Sequence, residues 1–193
     1  MERRITRRTA LVVAASAVTA ACAAVSPASD LLEQPPPQPL DQEYLLGAGD
    51  RVRITVFGEA DLTGEYAISD QGTVSFPLVG EIEARDKTLV AFAAAITERL
   101  RAGYVRNPRV SVEILAYRPF FILGEVESPG SYPYSANMTV MNAVATAGGF
   151  TYRSDQRRVF IKRAGETEER AYRLSANTRV LPGDTVRIPE RLF

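Results

Sequence analysis

Between Tyr44 and Phe150 the chain is divided into short apolar segments by glycine and Pro-Gly steps that recur in a fixed order. The segments are YLLGAGDRVRITVFGE (44–59), SDQGTVSFPLVGEIEA (69–84), NPRVSVEI (107–114), FFILGEVESPGSYP (120–133) and MTVMNAVATAGGF (138–150). Each places a turn residue where a short strand must reverse or a helix must stop, so the chain is confined to small sheets with few helices. Composition agrees: of 193 residues, 46% are apolar and 24% charged, the make-up of ordinary globular material with room for one medium or two small domains.

The first forty residues read differently. Arg3, Arg4, Arg7 and Arg8 precede Ala10–Ala21, a run of small and apolar residues, and then the single cysteine, Cys22. As a helix the run would be about 18 Å long, short of a membrane span. This is the pattern of a secretory signal peptide over 1–21. Thr19-Ala20-Ala21-Cys22 is similar to a lipobox, with Thr where Leu is usual, which makes Cys22 the expected acylated N-terminus of the mature chain. From 22 to 43 the chain is rich in Ser, Gln and acid, with Pro35, Pro36, Pro37 and Pro39, and reads as an extended tether. Beyond the leader 19 basic residues face 22 acidic ones, and no clustered basic run points to nucleic acid.

The period of two in Val52, Ile54 and Val56 predicts a half-buried strand, and Gly72 and Gly80 bound a hairpin containing Val74, Phe76, Leu78 and Val79. Leu89, Phe92, Ala93, Ile96 and Leu100 fall on one helical face between an N-cap at Thr88 and a stop at Gly103. Val110, Val112 and Ile114 form a return strand. A first domain over 44–116 and a second over 117–193 follow. In the second, Phe121, Leu123 and Val126 are expected to face the core, with Ser128-Pro129-Gly130 as a tight turn that uses positive φ at Gly130. Val140, Ala143, Val144 and Ala147 mark a short helix ended by Gly148-Gly149. Val159 with Ile161, and Val186 with Ile188, supply strands. The fold class is therefore α+β: a small mixed sheet with one covering helix, then a second small sheet with one helix across it, a β-grasp plan.

GAGDRVRI (47–54) is echoed by LPGDTVRI (181–188). Convergence on one turn-and-strand signal accounts for the echo, with Gly49, Asp50, Gly183 and Asp184 as turn residues whose carboxylates cap backbone N–H groups. Gly124, Pro129, Gly130, Gly148 and Gly149 have the same structural reading. Tyr132 and Tyr134, flanking Pro133, are open to two readings: core or interface packing, or contact with a glycan.

The chain has no histidine, and its one cysteine is taken by the anchor. No motif pairs a nucleophile with a base or gathers metal ligands, no metal or cofactor is expected, and Glu166, Glu168 and Glu169 read as a solvated loop beside Arg163 and Arg170. The expectation is a protein that is not an enzyme.

The five motifs in this order resemble the bacterial outer-membrane polysaccharide export family, in which an export-signature domain (here 44–116) precedes a soluble-ligand-binding β-grasp domain (here 117–193). The resemblance implies a homo-oligomeric ring anchored by lipid at the periplasmic face of the outer membrane. It also implies an inner-membrane polysaccharide co-polymerase as partner and the polysaccharide polymer as cargo. Longer members of that family end in an amphipathic membrane helix. With Phe193 five residues past the last strand, the expectation is that a separate outer-membrane barrel, or some other route, completes the path. The rival reading is a monomeric periplasmic module that binds a soluble glycan.

Overall fold

The computed structural model describes residues 44–191. The leader, Cys22 and the proline-rich stretch to residue 43 lie outside the described residues. Among the described residues, the chain has two hydrophobic cores, one for each half.

In the first half, β1 (Arg51–Val56) is the middle strand of an antiparallel sheet, between β2 (Gly64–Ala67) and β5 (Val110–Ala116). Val52, Ile54 and Val56 point inwards and Arg51, Arg53 and Thr55 outwards, as the alternation requires. A 3-10 turn at Ala60–Leu62 links β1 to β2, and a separate hairpin pairs β3 (Thr73–Phe76) with β4 (Gly80–Glu83). Helix α1 (Leu89–Arg101) starts at Thr88, whose hydroxyl accepts the Ala91 N–H at 3.1 Å, and buries Phe92, Ile96 and Leu100 completely. One expectation is corrected. This sheet is antiparallel throughout rather than mixed, since β1 runs antiparallel to both β2 and β5. Leu78 and Val79 lie within the expected β3–β4 hairpin, in its turn. Leu78 adopts φ 67° and stays 62% exposed, since the pairing of Phe76 with Gly80 leaves no room for further strand.

The second half is the mixed sheet. Its order is β7 (Gly130–Tyr132), β6 (Phe120–Gly124), β10 (Thr185–Ile188), β8 (Arg158–Lys162), β9 (Arg170–Arg173), with β10 and β6 parallel at the centre and every other pair antiparallel. Helix α2 (Val140–Thr146) begins at Thr139, whose hydroxyl accepts the Asn142 N–H, and buries Val140, Ala143 and Val144 with Ala147 against one face of this sheet. The chain thus closes its second core by inserting its last strand between the first and third, the β-grasp arrangement.

The phase of β6 is the opposite of the expected one. Phe120 and Ile122 are fully buried, while Phe121 and Leu123 are each 43% exposed. Every residue from 120 to 123 is apolar, so alternation carried no phase information, and the pairing Val186↔Ile122 decides which side faces α2. Val126, expected on the same strand, is buried but lies beyond its end at Gly124.

Candidate functional site

Arg118 stands where the two halves meet, and both Gly-Asp turns close on it. In the first turn the Asp50 N–H donates to Gly47 O at 3.2 Å with Gly49 at φ 89°; in the second, Asp184 N–H donates to Leu181 O at 3.1 Å with Gly183 at φ 82°. Positive φ at the third position is the requirement of a type II turn, which is why both turns carry Gly there and the second has Pro182 ahead of it. Each Asp folds its carboxylate back over its own turn. Oδ2 of Asp50 accepts Gly47 N–H at 2.8 Å, and Oδ2 of Asp184 accepts Leu181 N–H at 2.7 Å.

Both carboxylates are almost wholly buried and therefore need further donors. Asp50 takes the Tyr44 hydroxyl at 2.6 Å and the backbone N–H of Arg118, from the second half, at 2.7 Å. Asp184 takes the guanidinium of Arg163, which also lies over the Tyr172 ring. The Arg118 side chain completes the joint: its Nε donates to Pro182 O at 2.9 Å, and Gly183 N–H donates to Pro119 O at 3.1 Å. A Cβ on Gly47 would fall 1.5 Å from Arg118 Nη1, so the first turn leaves space for that guanidinium. Burial, reinforced by the bond to Asp50, pushes the Tyr44 phenol well above its ordinary value. Burial also raises the Asp184 carboxyl, against the opposing pull of Arg163.

Three rings cross the same seam edge to face. Tyr44 and Tyr117 have centroids 4.9 Å apart, and Tyr117 and Tyr134 5.3 Å. Tyr134 is thus occupied by the seam. Tyr132 lies against Phe120 at 6.1 Å and donates its hydroxyl to Ser128 O at 2.6 Å. Both pack partly against the second core, so neither is an open stacking platform.

The remaining glycine motifs form a second joint. Gly148 and Gly149 end α2 with φ 88° and 105°, and the 125–128 connection lies against them: Glu127 N–H donates to Gly149 O at 3.1 Å and Ser128 N–H to Ala147 O at 2.9 Å. The connection from β6 to β7 takes its positive φ at Gly124, 85°, and bends through Glu125, Glu127 and Ser128, while Gly130 does not adopt the expected positive φ. Gly130 is extended, pairs with Ile122 as the first residue of β7, and would tolerate a Cβ; Pro129 leads into that strand.

Among the described residues no cluster of three His, Cys, Asp or Glu side chains is positioned to hold a metal, and no helix is long and apolar enough to cross a membrane. Sequence reasoning missed Arg118 altogether. The only signal was the duplicated Gly-Asp turn, which marked two anchors without naming what they hold.

Comparison with known families gives this two-part body its context. Residues 38–115 match the polysaccharide biosynthesis/export protein family and residues 119–180 the SLBB domain. The chain therefore carries a polysaccharide biosynthesis/export domain followed by an SLBB domain. It is 34% identical over 173 residues to the exopolysaccharide production protein ExoF of Rhizobium meliloti, covering 78% of this chain and 41% of that protein. It is 30% identical over 165 residues to the EPS I polysaccharide export outer membrane protein EpsA of Ralstonia nicotianae, covering 78% and 42%. The chain therefore spans about two fifths of the length of these relatives. The Arg118 seam falls between the two matched segments, so the family's domain boundary coincides with a hydrogen-bonded joint.

Proposed function

We propose that this exopolysaccharide export protein works as a periplasmic component of the export conduit, anchored to the outer membrane through acylated Cys22. Copies of the chain associate into a ring that passes polymer from an inner-membrane co-polymerase towards the outer membrane. The protein performs no chemistry on the polymer. The observation that carries the reading is the order of the two matched domains, export domain then SLBB domain, in one chain similar to proteins named for exopolysaccharide production and outer-membrane export. The geometry supports it. A ring needs every protomer to hold its two domains at one angle, and the bond from Arg118 N–H to the buried Asp50 carboxylate ties them, with the Arg118 side chain held in turn by Pro182 O.

Deleting the gene tests the reading: surface polysaccharide is lost while lipid-linked precursor synthesis continues inside the cell. Unchanged surface polymer contradicts it. A second reading, a monomeric periplasmic glycan-binding module, draws on the uncovered face of the SLBB sheet. A monomeric native mass for the acylated protein would favour that module.

A further inference from the structure

The two sheets treat their outer faces differently. On the first, Arg51 and Arg53 are answered across the strand by Glu65, the charge-paired surface of a solvated sheet. On the second, the face opposite α2 carries Phe121 and Leu123, both exposed, together with half-buried Phe160, Arg158, Lys162 and Arg187. The register places Leu123, Arg187, Phe160 and Ala171 in one row, and Ser131, Phe121, Thr185 and Lys162 in the next. Among the described residues two acids reach the face: Asp155 lies 3.1 Å from Arg158 Nε, which leaves Lys162 as a cation without an acid, and Glu169 holds Arg187 by bonds of 2.6 and 3.0 Å. That leaves the Arg187 guanidinium 4.2 Å from the Phe160 ring centroid, a fixed cation against an aromatic face. The imbalance extends to the whole half: residues 117–193 contain eleven basic and eight acidic side chains, whereas 44–116 contain eight basic and ten acidic.

We propose that this face is a docking surface for an acidic polysaccharide, a polymer carrying carboxylate-bearing sugars. The inference rests on the export reading above and names the class of cargo. A pyranose presents an apolar C–H face and carries its carboxylate at the ring edge. Phe160 is already covered by the Arg187 and Arg158 guanidinium groups, so the sugar lies flat on the exposed Phe121 and presents its charge to Lys162. Lys162 stands in the same row as Phe121, two strand spacings or about 10 Å across the sheet, so one linear chain can meet both. Charge complementarity selects the acidic polymer over a neutral one, which would leave Lys162 unanswered. The contacts are exposed and few, which suits a polymer that must be held weakly enough to move on.

Calorimetric titration of the purified, acylated full chain with polygalacturonate fragments, against dextran and polyphosphate of similar length, provides the test. Polygalacturonate is expected to bind, dextran not to bind, and polyphosphate to bind without help from the rings. Phe121→Ser and, separately, Lys162→Gln are each expected to weaken polygalacturonate binding by about tenfold while leaving the urea midpoint unchanged; Phe121→Ser is expected to leave polyphosphate binding as it was. The proposal is overturned by absence of polygalacturonate binding, by equal binding of dextran, or by variants that bind like the parent. It is equally overturned if the variants lose self-association instead, which would make this face a contact between copies. Loss of surface polymer on gene deletion alongside no polygalacturonate binding leaves the export reading standing and removes this one. Binding with export intact in the deletion strain does the reverse.

Discussion

Asp50 holds three hydrogen bonds while fully buried, so its loss strands the Tyr44 hydroxyl and the N–H groups of Gly47 and Arg118 in the seam. Asp50→Ala is expected to destabilise the chain by about 3 kcal/mol, read from the shift in urea midpoint; a shift worth under about 1 kcal/mol would mean water replaces the carboxylate at little cost. The glycines separate cleanly. A Cβ at Gly124 would sit 2.1 Å from Ile188 O on top of a positive φ, so Gly124→Ala is expected to cost about 2 kcal/mol or more. Gly149→Ala meets no atom within 4 Å and carries only the backbone term, about 1 kcal/mol, and Gly130→Ala stays within about 0.5 kcal/mol. Denaturation of the three variants side by side checks the order, and equal losses would refute it. Acid sensitivity follows from Asp155, which is buried, hydrogen-bonded by Arg157 and 3.1 Å from Arg158 Nε, and so held below the usual carboxylate range. Because its folded value lies below the unfolded value of about 3.9, its contribution is complete above about pH 4 and disappears as pH falls through the folded value. Asp155→Asn should therefore be less stable than the parent at pH 7, with the gap closing in strong acid; a gap independent of pH would exclude the charge as its source. Asp184 works in the opposite sense, since burial raises it and its protonation favours the folded chain. The Gly-Asp turns themselves were readable from the sequence. Their meeting at Arg118 was not, because the bonds that join them span 68 and 64 residues.

At the scale of elements, legibility followed contrast. Helix α1 alternates apolar and polar residues at helical spacing and carries its own cap, and its buried face came out as Phe92, Ile96 and Leu100. Strands β1 and β5 alternate with period two and were equally plain. Strand β6 offers four apolar residues in succession, so only pairing with β10 assigns its faces, and the face it turns outward is the one with consequences for binding. The edge strands β7 and β9, GSY and RAYR, are too short and too polar for any pattern to show. The division of α1 into faces is directly testable. Phe92→Ala removes a fully buried ring and is expected to cost about 3–5 kcal/mol. Val90→Ala, on a residue 75% exposed, should lie within about 0.5 kcal/mol of the parent. Thermal or urea unfolding distinguishes them, and comparable losses would mean the helix packs through a different face.

For the whole molecule, the domain order carried the resemblance and the resemblance carried the proposed role, while the proposed assembly rests on surfaces that no motif encodes. The open aromatic and basic face of the SLBB sheet, the seam at Arg118 and the proposed anchor at Cys22 make sense together if many copies stand side by side around a moving polymer. Lipid at Cys22 is checked by mass spectrometry of the mature N-terminus, where two or more acyl chains are expected because a single chain holds a protein only marginally; an unmodified residue beyond Cys22 would remove the anchor. The ring is the central claim, and the native mass of the detergent-solubilised, acylated full-length protein tests it most directly. A closed oligomer of several subunits, one discrete mass that persists on dilution, is the predicted result. A single subunit mass at every concentration would contradict the account.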